Sequence, residues 1–537
     1  MKRSFSRLGC TAVCIGLSLA LGCGCAVLPP ASNKPASSAA SVPTDASGKP
    51  LYDASRLEDG RLRILYGYDN SGDSRTLLCG SRVLYQSARN ENVNLLQDTV
   101  TGETNYWFRS WSDPTGRGGR RSALYDKDGN EVMAFDGEQN ATMQNGLLVL
   151  QESRLTNGSY ADGYDTYGSC QIIDLAAKEN LPVPEGAYGC IVCGDVLVFN
   201  CYARPADLAE DEWDDNTELH SWVIVQQKDG AELRRVDTAR ALSLAYAPDV
   251  LDSWVELDIY SSNSTAQTLY SPSTGEELAG FQQVCGHGTA AFRTSGGYEL
   301  RDLTAEDRGV ISVFDDLPAH YFPGYVITWN VDHDYSHSLH DLSTGEVTPL
   351  YAVSVTGNQL ALYAQDGSLK VYDTDTGALL TDTSAGTLED SQTVTMDCEG
   401  DGYVWLELRD RDTYTTTAVR VYGPEGLVSD LSGLTGTYNY LGYLITTPEG
   451  RPLYYGTRAA AGSSYATGCD VLDENGNVVM QSLGSCYSYY DSSLNALPKH
   501  VFVARRGFYY GWMDTDGNWL YCRSVFSTIN ADDEMGY

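Results

Sequence analysis

The sequence predicts an all-β fold, a β-propeller of seven or eight four-stranded blades, and three observations predict it. Short strand-like runs fill the body, helical periodicity is scarce, and one turn pattern recurs between the runs. The runs include Leu147-Leu148-Val149-Leu150, Val196-Leu197-Val198-Phe199, Tyr325-Val326-Ile327-Thr328-Trp329 and Val404-Trp405-Leu406-Glu407-Leu408. Gly, Asp, Asn and Ser surround them. The 37 Tyr and 53 Gly agree: Tyr suits a half-buried pleated surface, and Gly supplies positive φ in tight turns.

The recurring unit is an apolar strand, Asp, a few polar residues, Gly and a second apolar strand. It reads Leu124-Tyr125-Asp126-Lys127-Asp128-Gly129-Asn130-Glu131-Val132, then Leu339-His340-Asp341-Leu342-Ser343-Thr344-Gly345-Glu346-Val347. It returns around Asp373-Gly377, Asp473-Gly476 and Asp514-Gly517, with weaker copies at Tyr270 to Leu278, Tyr422 to Val428 and Gln97 to Glu103. The Asp carboxylate accepts backbone N–H groups as the chain turns, and Gly takes the left-handed position. Tyr372 to Tyr422 and Tyr422 to Leu472 are each 50 residues, and Leu472 to Met513 is 41. Such spacing suits repeated sheet units. A lone sheet cannot bury both faces, whereas radial stacking buries a continuous core. Dividing residues 59–537 among eight blades allots about 60 residues to each.

Tyr372-Asp373-Thr374-Asp375-Thr376-Gly377 resembles the outer hairpins of PQQ-like and WD-like propellers. Tyr510-Gly511-Trp512-Met513-Asp514-Thr515-Asp516-Gly517-Asn518-Trp519 is similar to one unit of the WG-repeat family. The first likeness implies binding and envelope scaffolding. Neither carries over a catalytic residue or implies a cofactor.

The amino terminus predicts export. Lys2, Arg3 and Arg7 precede an uncharged stretch from Leu8 to Gly22, too short to span a bilayer and suited to a signal peptide. Leu19-Ala20-Leu21-Gly22-Cys23 resembles the bacterial lipobox, and that resemblance implies acylation of Cys23 after removal of residues 1–22. Cys25 is a second candidate, and Ala20-x-Gly22 also fits a cleavage site for soluble secretion. Residues 23–58, rich in Pro, Ala and Ser, read as a disordered tether that precedes a propeller over 59–537. The expected location is the extracytoplasmic side of a cell-envelope membrane, reached through the lipid anchor only.

Loss of Lys2, Arg3 and Arg7 takes the net charge from −36 to −39, a field that repels nucleic acid and anionic lipid. Of 14 cysteines, the ten after Cys25 permit disulfides of unreadable connectivity. Cys190-Ile191-Val192-Cys193 has no second pair for zinc and no helix after it for thioredoxin-like chemistry, so buried strand cysteines with one disulfide at most are expected.

Other candidate chemistries are weaker. Asp126-Asp128-Asn130 and Asp514-Asp516-Asn518 open like calcium loops, but the twelfth positions are Gly137 and Val525, not a bidentate Glu. Histidines cluster from Asp332 to His340, and His333 and His337 could share a metal only if a turn near Asp334 to Ser336 folded them together. Glu210 to Asp215 reads as a solvated acidic loop, and Asp113 to Arg121 as a basic hairpin tip. No Gly-x-Ser-x-Gly or His-Glu-x-x-His occurs. The expectation is a non-enzymatic binding or scaffolding protein with a protein or glycan partner in the envelope. It assigns no catalytic, cofactor or metal-binding residue. A surface carbohydrate-active enzyme with paired carboxylates is the alternative, and a metal-dependent sensor the third reading.

Overall fold

Strand follows strand through the body, and within each sheet each pairs antiparallel with its predecessor in a meander. The computed structural model describes residues 50–524, apart from 70–71, 88–90, 113–119, 138, 156–164, 204–219, 238, 244–253, 262–263, 332–335, 401, 460–465 and 488–496. Cys23, Cys25, Glu210 to Asp215, His333 and most of the basic tip lie outside the described residues. None of the described helices is long and apolar enough to cross a membrane.

Among the described residues the strands form one three-stranded sheet, eight four-stranded sheets and one seven-stranded sheet. The seven-stranded sheet is two blades sharing one long strand. Val347–Thr356 pairs first with His337–Asp341, as the outer strand of one blade, and then with Gln359–Ala364, as the inner strand of the next. Counted this way the described residues build eleven blades. Blade 1 starts at Leu62–Asp69, blade 2 at Glu91–Gln97 and blade 3 at Asn140–Gln144. Blade 9 starts at Gln392–Gly400, blade 10 at Tyr440–Thr446 and blade 11 at Ser485–Tyr487.

The all-β propeller architecture is as expected; the seven or eight blades are not. From blade 2 onward, inner strands begin about 44 residues apart on average. The Asp–Gly turn marks each blade once or not at all in its outermost hairpin, so the turn spacing was itself the blade length.

Among the described residues eleven apolar clusters cement the blades, and ten of them span two sequence-adjacent ones. Leu62, Ile64 and Leu77 of blade 1 meet Val93, Trp107 and Tyr125 of blade 2. Phe322 and Ile327 meet Leu350, Leu360 and Tyr372 within the fused pair. Trp405 and Val421 of blade 9 meet Tyr443, Tyr454 and Leu472 of blade 10. The last cluster closes the circle, with Leu57, Leu65 and Leu78 packed on Val501, Val503, Trp512 and Tyr521 of blade 11. The segment before blade 1 adds a clasp. Tyr52 bridges Trp519, the Asp53 N–H donates to the Trp519 carbonyl at 2.9 Å, and Ala54–Leu57 forms a 3-10 turn. Residues 50–58, read from sequence as the end of the tether, thus belong to the ring, because Leu57 is 0% exposed in the closing cluster.

A meander gives the ring two unlike faces. Turns from first to second strand and from third to fourth strand lie on one side. Turns from second to third strand, and the crossings between blades, lie on the other. The Asp–Gly turns at Asp126, Asp341, Asp373, Asp473 and Asp514 all join third to fourth strands, as do the weaker copies after Tyr270 and Tyr422. The copy at Asp98 joins first to second, so every copy falls on the same side.

Candidate functional site

The Asp turns are self-satisfied. Asp126 Oδ1 accepts from the N–H groups of Asp128 and Asn130, each at 2.9 Å, and its Oδ2 from the Asn130 amide at 3.0 Å. Asp473 and Asp514 repeat this pattern. In the Thr-Gly variant, Asp373 Oδ1 accepts from the Thr376 N–H at 2.8 Å and hydroxyl at 2.7 Å. Those bonds, the hydroxyl first, hold its carboxyl below the usual range. The oxygens that a calcium loop would offer are therefore used to fold the turn.

The histidines divide. His337 stacks on Trp329 at 6.2 Å, and burial followed by the nearby His337 charge lowers the pKa of His320, two strands away. His340, three residues on, faces the other side of the strand, where it bonds Thr328 at 3.0 Å and meets the Phe314 ring. The same alternation separates the CxxC. Cys190 packs toward blade 3 and Cys193 toward blade 5, and neither is disulfide-bonded. The disulfide joins Cys469 of blade 10 to Cys486 of blade 11. Among the described residues, no group of three or more His, Cys, Asp or Glu is placed to hold a metal ion.

A cleft of about 210 Å³ opens at blades 9 and 10 on the side away from the Asp–Gly turns. Blade 9 contributes Glu407 and Arg409 from Tyr403–Asp410, Thr416 and Val419 from Thr416–Gly423, and Tyr414 from the turn between them. The crossing to blade 10 contributes Thr435, Tyr438 and Asn439, and the inner strand begins with Tyr440 and Leu441. A small residue shapes the floor: a side chain at Gly456 would lie 2.5 Å from the Tyr438 ring, so glycine lets that ring lie flat on the strand. The Tyr438 hydroxyl donates to buried Asp470 at 3.1 Å, which also accepts from Arg458 at 2.7 Å.

Charge within the cleft is paired. Arg409 donates Nε to Glu407 Oε1 and Nη2 to Oε2, both at 2.9 Å, and the Thr416 hydroxyl donates to the same carboxylate. Burial alone would raise the Glu407 carboxyl, but these bonds hold it below its ordinary value. Asp397, across the sheet on the inner strand, goes the other way. It is exposed to solvent, yet protein crowds it enough that burial, and then the charge of Glu407, raises its pKa. Registration of Asp397 with Trp405 makes Asp397 and Glu407 diagonal neighbours on one sheet face. Sequence reasoning missed this pair because the strands that align them are read only through their register.

Comparison with known proteins gives one family match and several structural likenesses. Residues 269–533 match the model of a domain of unknown function (DUF5046). No curated protein matches. BamB from Moraxella catarrhalis is similar at 11% identity, with 66% of this chain and 94% of that one covered and a TM-score of 0.24. The β-propeller domain of the Trilobed protease from Pyrococcus furiosus is similar at 11% identity over 53% of this chain and 92% of that one, with a TM-score of 0.27. TolB from Acinetobacter baumannii is similar at 16% identity over 51% and 79%, with a TM-score of 0.18. At such scores the ring rests on its own contacts.

Proposed function

We propose that this chain is a lipid-anchored binding or scaffolding protein of the cell envelope, acylated at Cys23, with residues 1–22 removed and the segment up to about residue 49 as its tether. The observation that carries the binding reading is the division of the ring into two faces. One side holds short, internally bonded Asp turns. The other holds the cleft with its exposed tyrosines. Propellers and other scaffolds commonly place recognition on variable loops over a rigid frame. The Cys469–Cys486 disulfide supports an oxidising compartment.

The anchor is tested by labelling cells with a radioactive fatty acid. The chain is expected to take up label and sediment with membranes, and Cys23→Ser to abolish both. Label retained in Cys23→Ser would exclude Cys23 as the anchor. The binding reading is tested by cross-linking intact cells and recovering the chain. A reproducible protein or glycan adduct is expected, and none under any condition would refute it.

A further inference from the structure

Tyr414 stands where the fold asks for glycine. Four turns of the same form close with the fifth residue donating its N–H to the carbonyl of the first: Gly102 to Asp98, Gly275 to Ser271, Gly345 to Asp341 and Gly377 to Asp373. Their φ values lie between 70 and 75°. In Asp410-Arg411-Asp412-Thr413-Tyr414 the same bond forms at 2.8 Å, but the left-handed residue is tyrosine, with φ 56°. Lys178 holds the comparable place after Asp174, with φ 58°. This conformation crowds a Cβ and is free only for glycine. The Tyr414 ring is 73% exposed, so burial returns little of that cost. Strain held at an exposed aromatic points to a role outside the fold.

The ring edges the cleft, and Tyr440, 55% exposed, edges it from blade 10. Tyr440 is backed by the Tyr455 ring at 5.7 Å. Asn439 offers its amide, and the Thr416 and Thr435 hydroxyls, which donate to Glu407 and to the Ser432 carbonyl, offer oxygen lone pairs, while Glu407 and Arg409 neutralise each other. A cation finds the Glu407 carboxylate already occupied, and an anion meets a chain of net charge −36. Flat aromatic faces beside a few neutral hydrogen-bonding groups suit a polar, uncharged ring. At about 210 Å³ the cleft is smaller than the ~300–1,000 Å³ of sites for drug-sized ligands.

We propose that this cleft binds a neutral carbohydrate, seating one sugar unit of a glycan between Tyr414 and Tyr440. The assignment rests on the binding reading above and names its ligand class. The test is calorimetric titration of the full-length chain in detergent micelles. The neutral probes are oligosaccharides of glucose, mannose, galactose and xylose; polygalacturonate and heparin are the charged probes. At least one neutral series is expected to bind in preference to both charged probes. Tyr414→Gly and Tyr440→Ala should each weaken that binding tenfold or more, and Tyr414→Gly should also raise the melting midpoint. Absence of binding by every neutral series, preference for a charged probe, or unchanged affinity in Tyr414→Gly would each overturn the assignment. A lowered midpoint in Tyr414→Gly would remove the strain on which it stands. Recovery of an envelope protein that both variants still bind, with no sugar bound, would end the carbohydrate assignment and leave the scaffold reading intact.

Discussion

Replacing Asp98 by asparagine removes a carboxylate that ties an Asp turn to the backbone of the neighbouring blade. Asp98 is buried where blade 2 turns from its first strand to its second. Its Oδ1 accepts from the N–H groups of Val100, Thr101 and Asn145 at 2.9, 3.0 and 3.2 Å, and its Oδ2 from that of Gly146 at 2.6 Å. The last two donors belong to blade 3. Asparagine keeps Oδ1 but sets an amide N–H₂ against the Gly146 N–H. Hydrogen bonds to charged groups contribute about 1.5–3 kcal/mol each. One lost bond and three weakened ones predict a cost of about 3 kcal/mol in urea unfolding. Asp126→Asn, where the carboxylate bonds within its own turn, should cost about 1 kcal/mol. The pH dependence has a definite sign. Burial pushes the Asp98 carboxyl up, but the N–H groups of Gly146, Thr101, Val100 and Asn145 bring it below its ordinary value. Its contribution is therefore complete above the unfolded pKa, about 3.9, and is lost as pH falls through the lower folded value. Asp98→Asn should lack that acid-side loss. Equal unfolding costs for Asp98→Asn and Asp126→Asn would refute the reasoning.

Leu57→Ala, at the closing cluster, should destabilise by about 2–5 kcal/mol, whereas Leu379→Ala on an exposed outer strand should stay within about 0.5 kcal/mol; denaturant titration compares them. Reducing the Cys469–Cys486 bond, which spans 17 residues, should remove about 3 kcal/mol on the chain-entropy model, and the Cys469→Ser, Cys486→Ser double variant should no longer respond to dithiothreitol. Burial lowers the pKa of His320 and of His337. The unfolded chain therefore takes up their protons first, and stability should fall as pH drops below about 6.5. Thermal melts of His320→Asn, His337→Asn should show a flatter slope between pH 7 and 5.

Local chemistry was legible in the sequence; long-range closure was not. The Asp–Gly turns read correctly because the carboxylate and the left-handed glycine lie within five residues. The blade count failed because that motif marks the outermost hairpin of some blades and not of others, a fact visible only once the strands pair. Tyr52 and Leu57 sit beside a Pro- and Ser-rich stretch and become core only against Trp519 and Trp512, far along the chain. The Cys469–Cys486 pairing likewise depends on which strands face each other. Asp397 and Glu407 meet through register alone. Tyr414 did leave a signal: Asp410-Arg411-Asp412-Thr413-Tyr414 aligns with Asp373-Thr374-Asp375-Thr376-Gly377, with tyrosine in the glycine place.

Electron-microscope images of single particles, averaged down the ring axis, put the whole architecture in view at once. Eleven spokes around one axis, joined without a gap where Leu57 meets Trp512, are the predicted result. Two separate lobes, or an open arc with blades 1 and 11 apart, would contradict it.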